Sequence, residues 1–291
     1  MEPKTVILCP NPDRDHGMKA TKVAIQLLQE AGFRTVVCSP FRDPKAGAFD
    51  DLAIKPLLSE LKNASLIITL GGDGTILHLA KLAALHRIPM LGINMGGLGF
   101  LAELEVGSLE TLRSLKGGEF PVEERMMLSG TVYRNGEAIG EDIALNDIVI
   151  SREGSLRVVR FKNFVNDEYL NSYNADGIII STPTGSTGYS LSVGGPIVSP
   201  SGEMTIMTPI APHTLNTRSI VFPAEDVITV EMGEGRHNDC EKGLASFDGD
   251  SEIPMITGDR IVIRKAEVKT RILKLNHLSF VEVLRQKMRD S

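Results

Sequence analysis

The sequence of 291 residues contains no tryptophan, and aromatic residues make up only 5% of it. Basic residues are also short: 31 Lys and Arg stand against 37 Asp and Glu, a net charge of -6 at pH 7. A nucleic-acid surface needs a basic face and stacking rings, so these deficits exclude a nucleic-acid partner from the expectations. Cys9, Cys38 and Cys240 are far apart, odd in number and outside any C-x-x-C, which excludes a disulfide framework and a zinc site. They read as reduced core residues. No apolar run approaches the ~20 residues of a membrane span, and Met-Glu-Pro-Lys before a short apolar stretch lacks signal-peptide layout. The expectation is a cytoplasmic protein with no membrane partner. An anionic ligand would then have to be held locally, by backbone N–H groups, a few placed cations and a metal ion.

A hydrophobic content of 42% is enough for a sizeable core and about two domains. TVILC and RTVVCS read as strands. Between them KATKVAIQLLQEAGF reads as a helix with Val23, Leu27, Leu28 and Ala31 on one face and Gly32 as its stop. A second helix is expected over DDLAIKPLLSELKN, then the strand LIITL, the helix ILHLAKLAALH and the strand IPMLGIN. Strands alternating with helices imply a parallel sheet, so residues 1–120 form an α/β domain. After KGGEFPVEER the pattern shortens to alternating runs, with tight-turn pairs at Asn135-Gly136 and Asn166-Asp167. Residues 121–275 are therefore expected to be mainly antiparallel β. Residues 276–291, with Phe280, Leu284 and Met288 at helical spacing, are expected to form a docking C-terminal helix.

Gly71-Gly72-Asp73-Gly74-Thr75 follows a buried strand and opens a helix. It is not a Walker A loop, because no Gly-Lys-Ser/Thr follows. Nor is it G-x-G-x-x-G, because Leu77 fills the last position. The same logic still applies: glycines permit positive φ and leave no Cβ in a ligand's way, and the helix points free N–H groups at the turn. Asp-Gly alone is a common turn pair. Here, however, no second strand follows to make a hairpin, and the carboxyl end of a parallel strand is where α/β sheets place ligands. An acid facing phosphate is repelled unless it holds a metal or takes a proton, so Asp73 points to chemistry. Asn146-Asp147 near a strand end, and the loop containing Thr184, Ser186, Thr187, Tyr189 and Ser190, add neutral and acidic groups suited to a dinucleotide. Taken singly, each is also an ordinary turn or loop.

GGDGT, NMGGLGFLAE, LNDIVISR and DGIIISTPTGSTGYSLSVGGPIVSP, in that order, resemble the NAD kinase family over nearly the whole chain. The resemblance implies a Rossmann-like, phosphofructokinase-like first domain. It also implies ATP-dependent phosphorylation of the 2′-hydroxyl on the adenosine ribose of NAD, with a divalent cation, Mg2+ by preference, whose ligands the sequence does not reveal. By motif position Asp73 is the proton acceptor. The dinucleotide contacts are Asp73, Gly74, His78, Asn146, Asp147, Arg157, Asn174, Asp176, Thr187, Gly188, Tyr189, Ser190, Leu191, Ser192 and Ala211. The ATP phosphates are expected on Gly71, Gly72, Gly74 and Thr75. A homodimer or homotetramer is implied. Two positions depart from the family pattern: Gly188, where relatives often carry Ala, and Asp250, where many bacterial relatives carry Gln or Arg. Two other readings share single features: a lipid kinase, through the GGDGT turn, and a non-catalytic dinucleotide sensor, which would be expected to lack the acid at position 73.

Overall fold

The computed structural model describes residues 3–41, 49, 52–97, 99–117, 121–154, 158–214, 218–234, 240–276 and 278–289. The chain divides into two compact units, Met1–Glu124 with Thr270–Ser291, and Arg125–Lys269.

Unit 1 runs β1 (Thr5–Pro10), α1 (Lys19–Glu30), β2 (Arg34–Cys38), β3 (Ile54–Lys55), α2 (Leu57–Glu60), β4 (Ala64–Gly71), α3 (Asp73–Leu85), β5 (Met90–Asn94) and β6 (Leu104–Glu105). Its strands pair in parallel in the order β5-β4-β1-β2-β3, with β6 beside β5. From β1 the chain moves outward to β2 and β3, then returns to the opposite side of β1 as β4. The strand order therefore reverses between β1 and β4, and in open α/β sheets the crevice at the carboxyl ends of such a pair takes the ligand. Every residue of β1 is buried, as a parallel strand covered on both faces requires.

Two helices differ from their sequence reading. In α1 the buried residues are Ala20, Thr21, Ala24, Leu27 and Leu28, whereas Val23 is 45% exposed. The inward stripe is set by Ala20 and Ala24, small enough to bring the helix close to the sheet. The helix expected over residues 50–63 begins only at Leu57 and passes into a 3₁₀ turn at Leu61–Asn63. Pro56 is extended (ψ 122) and Ile54–Lys55 pair with β2, because the residue before proline is steered away from helical geometry. Gly32 ends α1 as expected, at φ +91.

Unit 2 continues with β7 (Val122–Arg134), β8 (Glu137–Ala144), β9 (Asp147–Arg152), β10 (Val159–Val165), β11 (Glu168–Ala175) and β12 (Gly177–Ser181). Then come the single turn α4 (Tyr189–Ser192), β13 (Met204–Ile210), β14 (Ile220–Pro223), β15 (Ile228–Met232), β16 (Lys242–Phe247), β17 (Ser251–Ile256) and β18 (Arg260–Leu273). Residues expected as two strands, DRIVIRKA and TRILKLN, form the one long β18. One antiparallel layer contains β11-β10-β15-β18, and the other runs β14-β13-β12-β9-β16-β17. Phe161, Val230 and Ile261 from the first layer meet Ile148, Ile178 and Phe247 from the second in one core. Both predicted tight turns form, with Asn135 and Gly136 at φ 52 and 85, and Asn166 and Asp167 at φ 50 and 66.

The final helix, α5 (Phe280–Lys287), belongs to unit 1 and starts with a capping box made by Ser279 and Glu282. Its Phe280 ring lies 6.3 Å from that of Phe100, and Lys287 stands 5.0 Å over the same ring. Met288, expected on the inner face, is the C-cap residue and is 69% exposed.

Candidate active site

In unit 1, β4 ends at Gly71, and α3 begins two residues later with Asp73 as its first helical residue. The glycines are not there for positive φ. None of Gly71, Gly72 and Gly74 has it, and Gly72 is extended at φ -126. Gly71 is needed because a Cβ would fall 2.3 Å from the Thr75 hydroxyl. Nothing lies within 4 Å of where a Cβ would sit on Gly72 or Gly74, and no side chain caps α3. Open space thus faces uncapped helix N–H groups, a setting that favours an anion. Thr75 is buried, and its hydroxyl accepts from the Asn11 amide at 3.4 Å, which ties the loop after β1 to the turn.

Asp73 accepts two backbone hydrogen bonds, from the N–H of Phe100 at 2.8 Å and of Leu101 at 3.2 Å. This approach requires Gly99, where a Cβ would meet the Asp73 carboxylate at 2.1 Å. The acid at the start of α3 also sits at the positive end of the helix dipole. Its carboxylate is therefore fixed in direction by the loop after β5, a role for Gly99, Phe100 and Leu101 that sequence reasoning missed. The signal lay in NMGGLGFLAE. Asn94 anchors the same loop, its amide donating to the carbonyls of Gly96 (3.2 Å) and Gly97 (2.8 Å). His78, one turn along α3, packs edge-on against Phe41 with ring centroids 5.5 Å apart.

In unit 2, Asn146 and Asp147 stand where β9 begins. Three consecutive N–H groups there, of Leu145, Asn146 and Asp147, donate to the carboxylate of Asp248 at 2.7, 2.7 and 3.1 Å. Asp248 and Gly249, at φ 52 and 72, make the tight turn between β16 and β17. Sequence reading singled out Asp250 in this turn. It is exposed, and the residue that organises the site is Asp248. Burial, then the nearby charge of Asp248, pushes the Asp147 carboxyl up to about 7. Burial also raises Asp248 in spite of its three amides.

The loop after β12 packs onto this pair. Thr182 N–H donates to the Asn146 carbonyl at 2.8 Å, and a Cβ on Gly185 would meet that oxygen at 2.0 Å, so only glycine fits. Gly188 lies near the same two side chains: a Cβ there would be 3.3 Å from the Asn146 amide nitrogen and 3.9 Å from the Asp147 carboxylate. Ser186 and Ser190 are fully buried, the first bonded to Pro183 and Val198, the second paired with Thr208. Thr187 bonds back to the Thr184 carbonyl, whereas Tyr189, Leu191 and Ser192 are exposed. Among the described residues the buried Asn146 Oδ1, Ser181 Oγ and Thr184 Oγ1 lack a protein partner, and a buried acceptor or hydroxyl left so is costly unless something else meets it.

Asn174, Asp176 and Ala211 gather elsewhere. Asp176 N–H donates to the Ile210 carbonyl, and His213 N–H donates to that of Asn174, both at or under 3.0 Å. Ala211 has φ 43, and Arg152 Nε donates to Asp176 at 2.8 Å. This group lies at the far end of β9 and β12 from Asn146 and Asp147: Gly177 pairs with Ser151 where Ser181 pairs with Asp147. At ~3.4 Å per residue the two groups are about 17 Å apart. Unit 2 thus contains two clusters, not one. Arg157 lies outside the described residues. Among the described residues no cluster of three or more His, Cys, Asp or Glu could hold a metal ion.

Two family descriptions match the chain, "ATP-NAD kinase N-terminal domain" over residues 7–115 and "ATP-NAD kinase C-terminal domain" over residues 145–275. A protein called NAD kinase from Lachnospira eligens is 42% identical over 281 residues, covering 93% of this chain and 90% of that one. Another, from Acetivibrio thermocellus, is 37% identical over 292 residues, covering 97% and 96%. Among solved structures, yeast NADH kinase complexed with NADH aligns with a TM-score of 0.83 at 24% identity, over 99% of this chain and 88% of that one. An NAD kinase from Archaeoglobus fulgidus in complex with ATP aligns with a TM-score of 0.76 at 24% identity, over 99% of each chain. The structural likeness bears on the fold, and the closer sequence relatives carry the assignment: the chain belongs to the NAD kinase family of phosphotransferases.

Proposed function

We propose that the protein transfers the γ-phosphate of ATP to the 2′-hydroxyl on the adenosine ribose of NAD, giving NADP and ADP. The observation that carries the role of Asp73 is its placement: first residue of α3, beside open glycines, with its carboxylate aimed by two backbone amides. Phosphoryl transfer passes through a loose transition state, so positioning and charge neutralisation dominate. The ribose oxygen bonds to the γ-phosphorus, the bond from phosphorus to the bridging oxygen breaks, and ADP leaves. Asp73 first orients the hydroxyl and takes its proton late.

The triphosphate is assigned to the uncapped N–H groups at Gly72 and Gly74. Gly71 and Thr75 shape the turn from beneath. In unit 2 the dinucleotide is assigned to Asn146, Asp147 and the Thr187–Ser192 segment, where the unpartnered Asn146 Oδ1 and Thr184 Oγ1 await donors. Asn174, Asp176 and Ala211 form a second contact group at the other end of the strands. Mg2+ is assigned to the substrate phosphates, because this ion typically keeps several waters and binds substrate oxygens. A cytoplasmic homodimer or homotetramer is part of the proposal. No described helix is long and apolar enough to cross a membrane. The lipid-kinase and sensor readings are set aside, because relatives over nearly the whole chain are NAD kinases and the acid at position 73 is present.

The test is incubation with ATP, Mg2+ and NAD, with NADP as the readout. Asp73→Asn should bind NAD normally and lose about 10²- to 10⁴-fold in turnover. Near-normal turnover would remove Asp73 from the mechanism.

A further inference from the structure

We infer that Arg14 is a ligand of the donor's phosphates. The inference rests on the reading of the glycine turn as the site of the ATP triphosphate.

Arg14 belongs to the loop that leaves β1, on one side of the point where the strand order of unit 1 reverses; the Gly71–Asp73 turn leaves β4 on the other. The two segments are locked together. Asn11 N–H donates to the Leu70 carbonyl at 2.8 Å, and the Asn11 amide reaches Thr75. The loop is itself a closed turn, because the N–H groups of Arg14 and Asp15 both donate to the Asn11 carbonyl, at 3.0 and 2.9 Å. Arg14 is therefore presented from a fixed backbone.

Its side chain has a defined seat. Arg14 Nη1 lies 3.0 Å from where a Cβ on Gly96 would stand. Gly96 follows β5, on the far side of β4 from β1, and is held there by the Asn94 amide. The arginine thus reaches from the loop on one flank of β4 to the loop on the other, across the end of the strand that carries the glycine turn. A Cβ at position 96 would press on the guanidinium, which would have to give by a few tenths of an ångström.

The guanidinium is also unspent. Among the described residues it has no carboxylate partner. The adjacent Asp15 directs its carboxylate to Ala20 N–H, Thr21 N–H and the Thr21 hydroxyl, at 3.0, 2.9 and 2.6 Å, starting α1. A surface arginine alone would mean nothing. Here a full positive charge with a planar donor fork reaches the loop after β5 from the loop after β1, across the end of the strand whose turn carries an acid. A triphosphate brought next to Asp73 needs such a charge, which helix N–H groups supply only in part.

The experiment measures KM for ATP and for NAD in wild type, Arg14→Gln and Arg14→Lys, and the thermal shift each protein shows with inorganic tripolyphosphate and Mg2+. Loss of one charge-assisted contact should raise KM for ATP about tenfold to a hundredfold in Arg14→Gln and less in Arg14→Lys. KM for NAD should stay within about twofold, and the tripolyphosphate shift should vanish in Arg14→Gln. An unchanged KM for ATP with the shift retained would overturn the inference and leave the kinase reading intact, as would equal rises in both KM values, the mark of a disturbed loop. Wild type that makes no NADP would instead overturn the kinase reading itself, and the inference with it.

Discussion

Asp73 in unit 1 and Asp147 in unit 2 each stand where a strand meets a glycine-bearing segment, yet their surroundings are opposite. Asp73 has two backbone amides on its carboxylate and the start of a helix beneath it. Near Asp147 the backbone amides, its own included, go to Asp248. Among the described residues no donor reaches the Asp147 carboxylate, and burial beside a second acid lifts it to about 7. The difference lies in how each loop allots its N–H groups. Unit 1 uses them to aim an acid, whereas unit 2 uses them to build a rigid turn and leaves its acid able to exchange a proton near neutral pH.

The sharpest way to break this contrast is Gly99→Ala. A methyl there would sit 2.1 Å from the Asp73 carboxylate, so the acid must leave the Phe100 and Leu101 amides. Turnover should fall about a hundredfold or more, close to removal of the acid itself, while the melting temperature moves by only a few degrees. Undiminished kcat would mean that the two amides do not orient Asp73.

Asp147→Asn tests the other half. With its folded pKa near 7 against an ordinary 3.8, native Asp147 holds a proton between those values that the unfolded chain has released. Stability from this group is therefore complete below about pH 4 and is lost as pH rises through about 7; the raised Asp248 works in the same direction. Asparagine is neutral throughout, so the variant's advantage in melting temperature should grow from pH 5 to pH 7.5 and then level off. For a chain of this size the gain is roughly 2–4 °C per kcal/mol. Parallel melting curves across that range would show that Asp147 titrates as an ordinary carboxylate.

The parts of this arrangement that could be read from the sequence are those written in neighbouring residues. Alternation of strand and helix showed the parallel sheet of unit 1, period-two runs and Asn-Gly showed the antiparallel layers, and GGDGT marked a strand-to-helix turn. The partners that give the two acids their character lie far along the chain: Phe100 is 27 residues from Asp73, and Asp248 is 101 from Asp147. Local pattern has no term for such pairs. Of its two reasons for glycine at 71, 72 and 74, positive φ fails, whereas the absence of a Cβ agrees with the open space at Gly72 and Gly74; close packing is what holds Gly71. Val23 failed for a related reason: apolar character suggested an inward face, but the alanines beside it set how close the helix lies.

The gentlest probe of the comparison is Gly188→Ala, which adds one methyl to unit 2. Gly188 has φ -97 and ψ -130, neither helical nor extended, so the backbone as well as the new methyl is tested. The new methyl would rest 3.3 Å from both the Asn146 amide nitrogen and the Gly185 carbonyl, which must yield by a few tenths of an ångström. Alanine also lowers the entropy of the unfolded chain, worth about 0.4–1 kcal/mol only where the backbone suits it, so the melting temperature should move by no more than a few degrees. KM for NAD should change by about twofold to threefold as the Asn146 amide shifts. The pH dependence of stability should stay as in wild type, because 3.9 Å leaves the Asp147 carboxylate in ordinary contact with the methyl. A tenfold loss of NAD affinity would show that the Asn146 amide cannot give way, and that unit 2 aims its groups as rigidly as unit 1 aims Asp73.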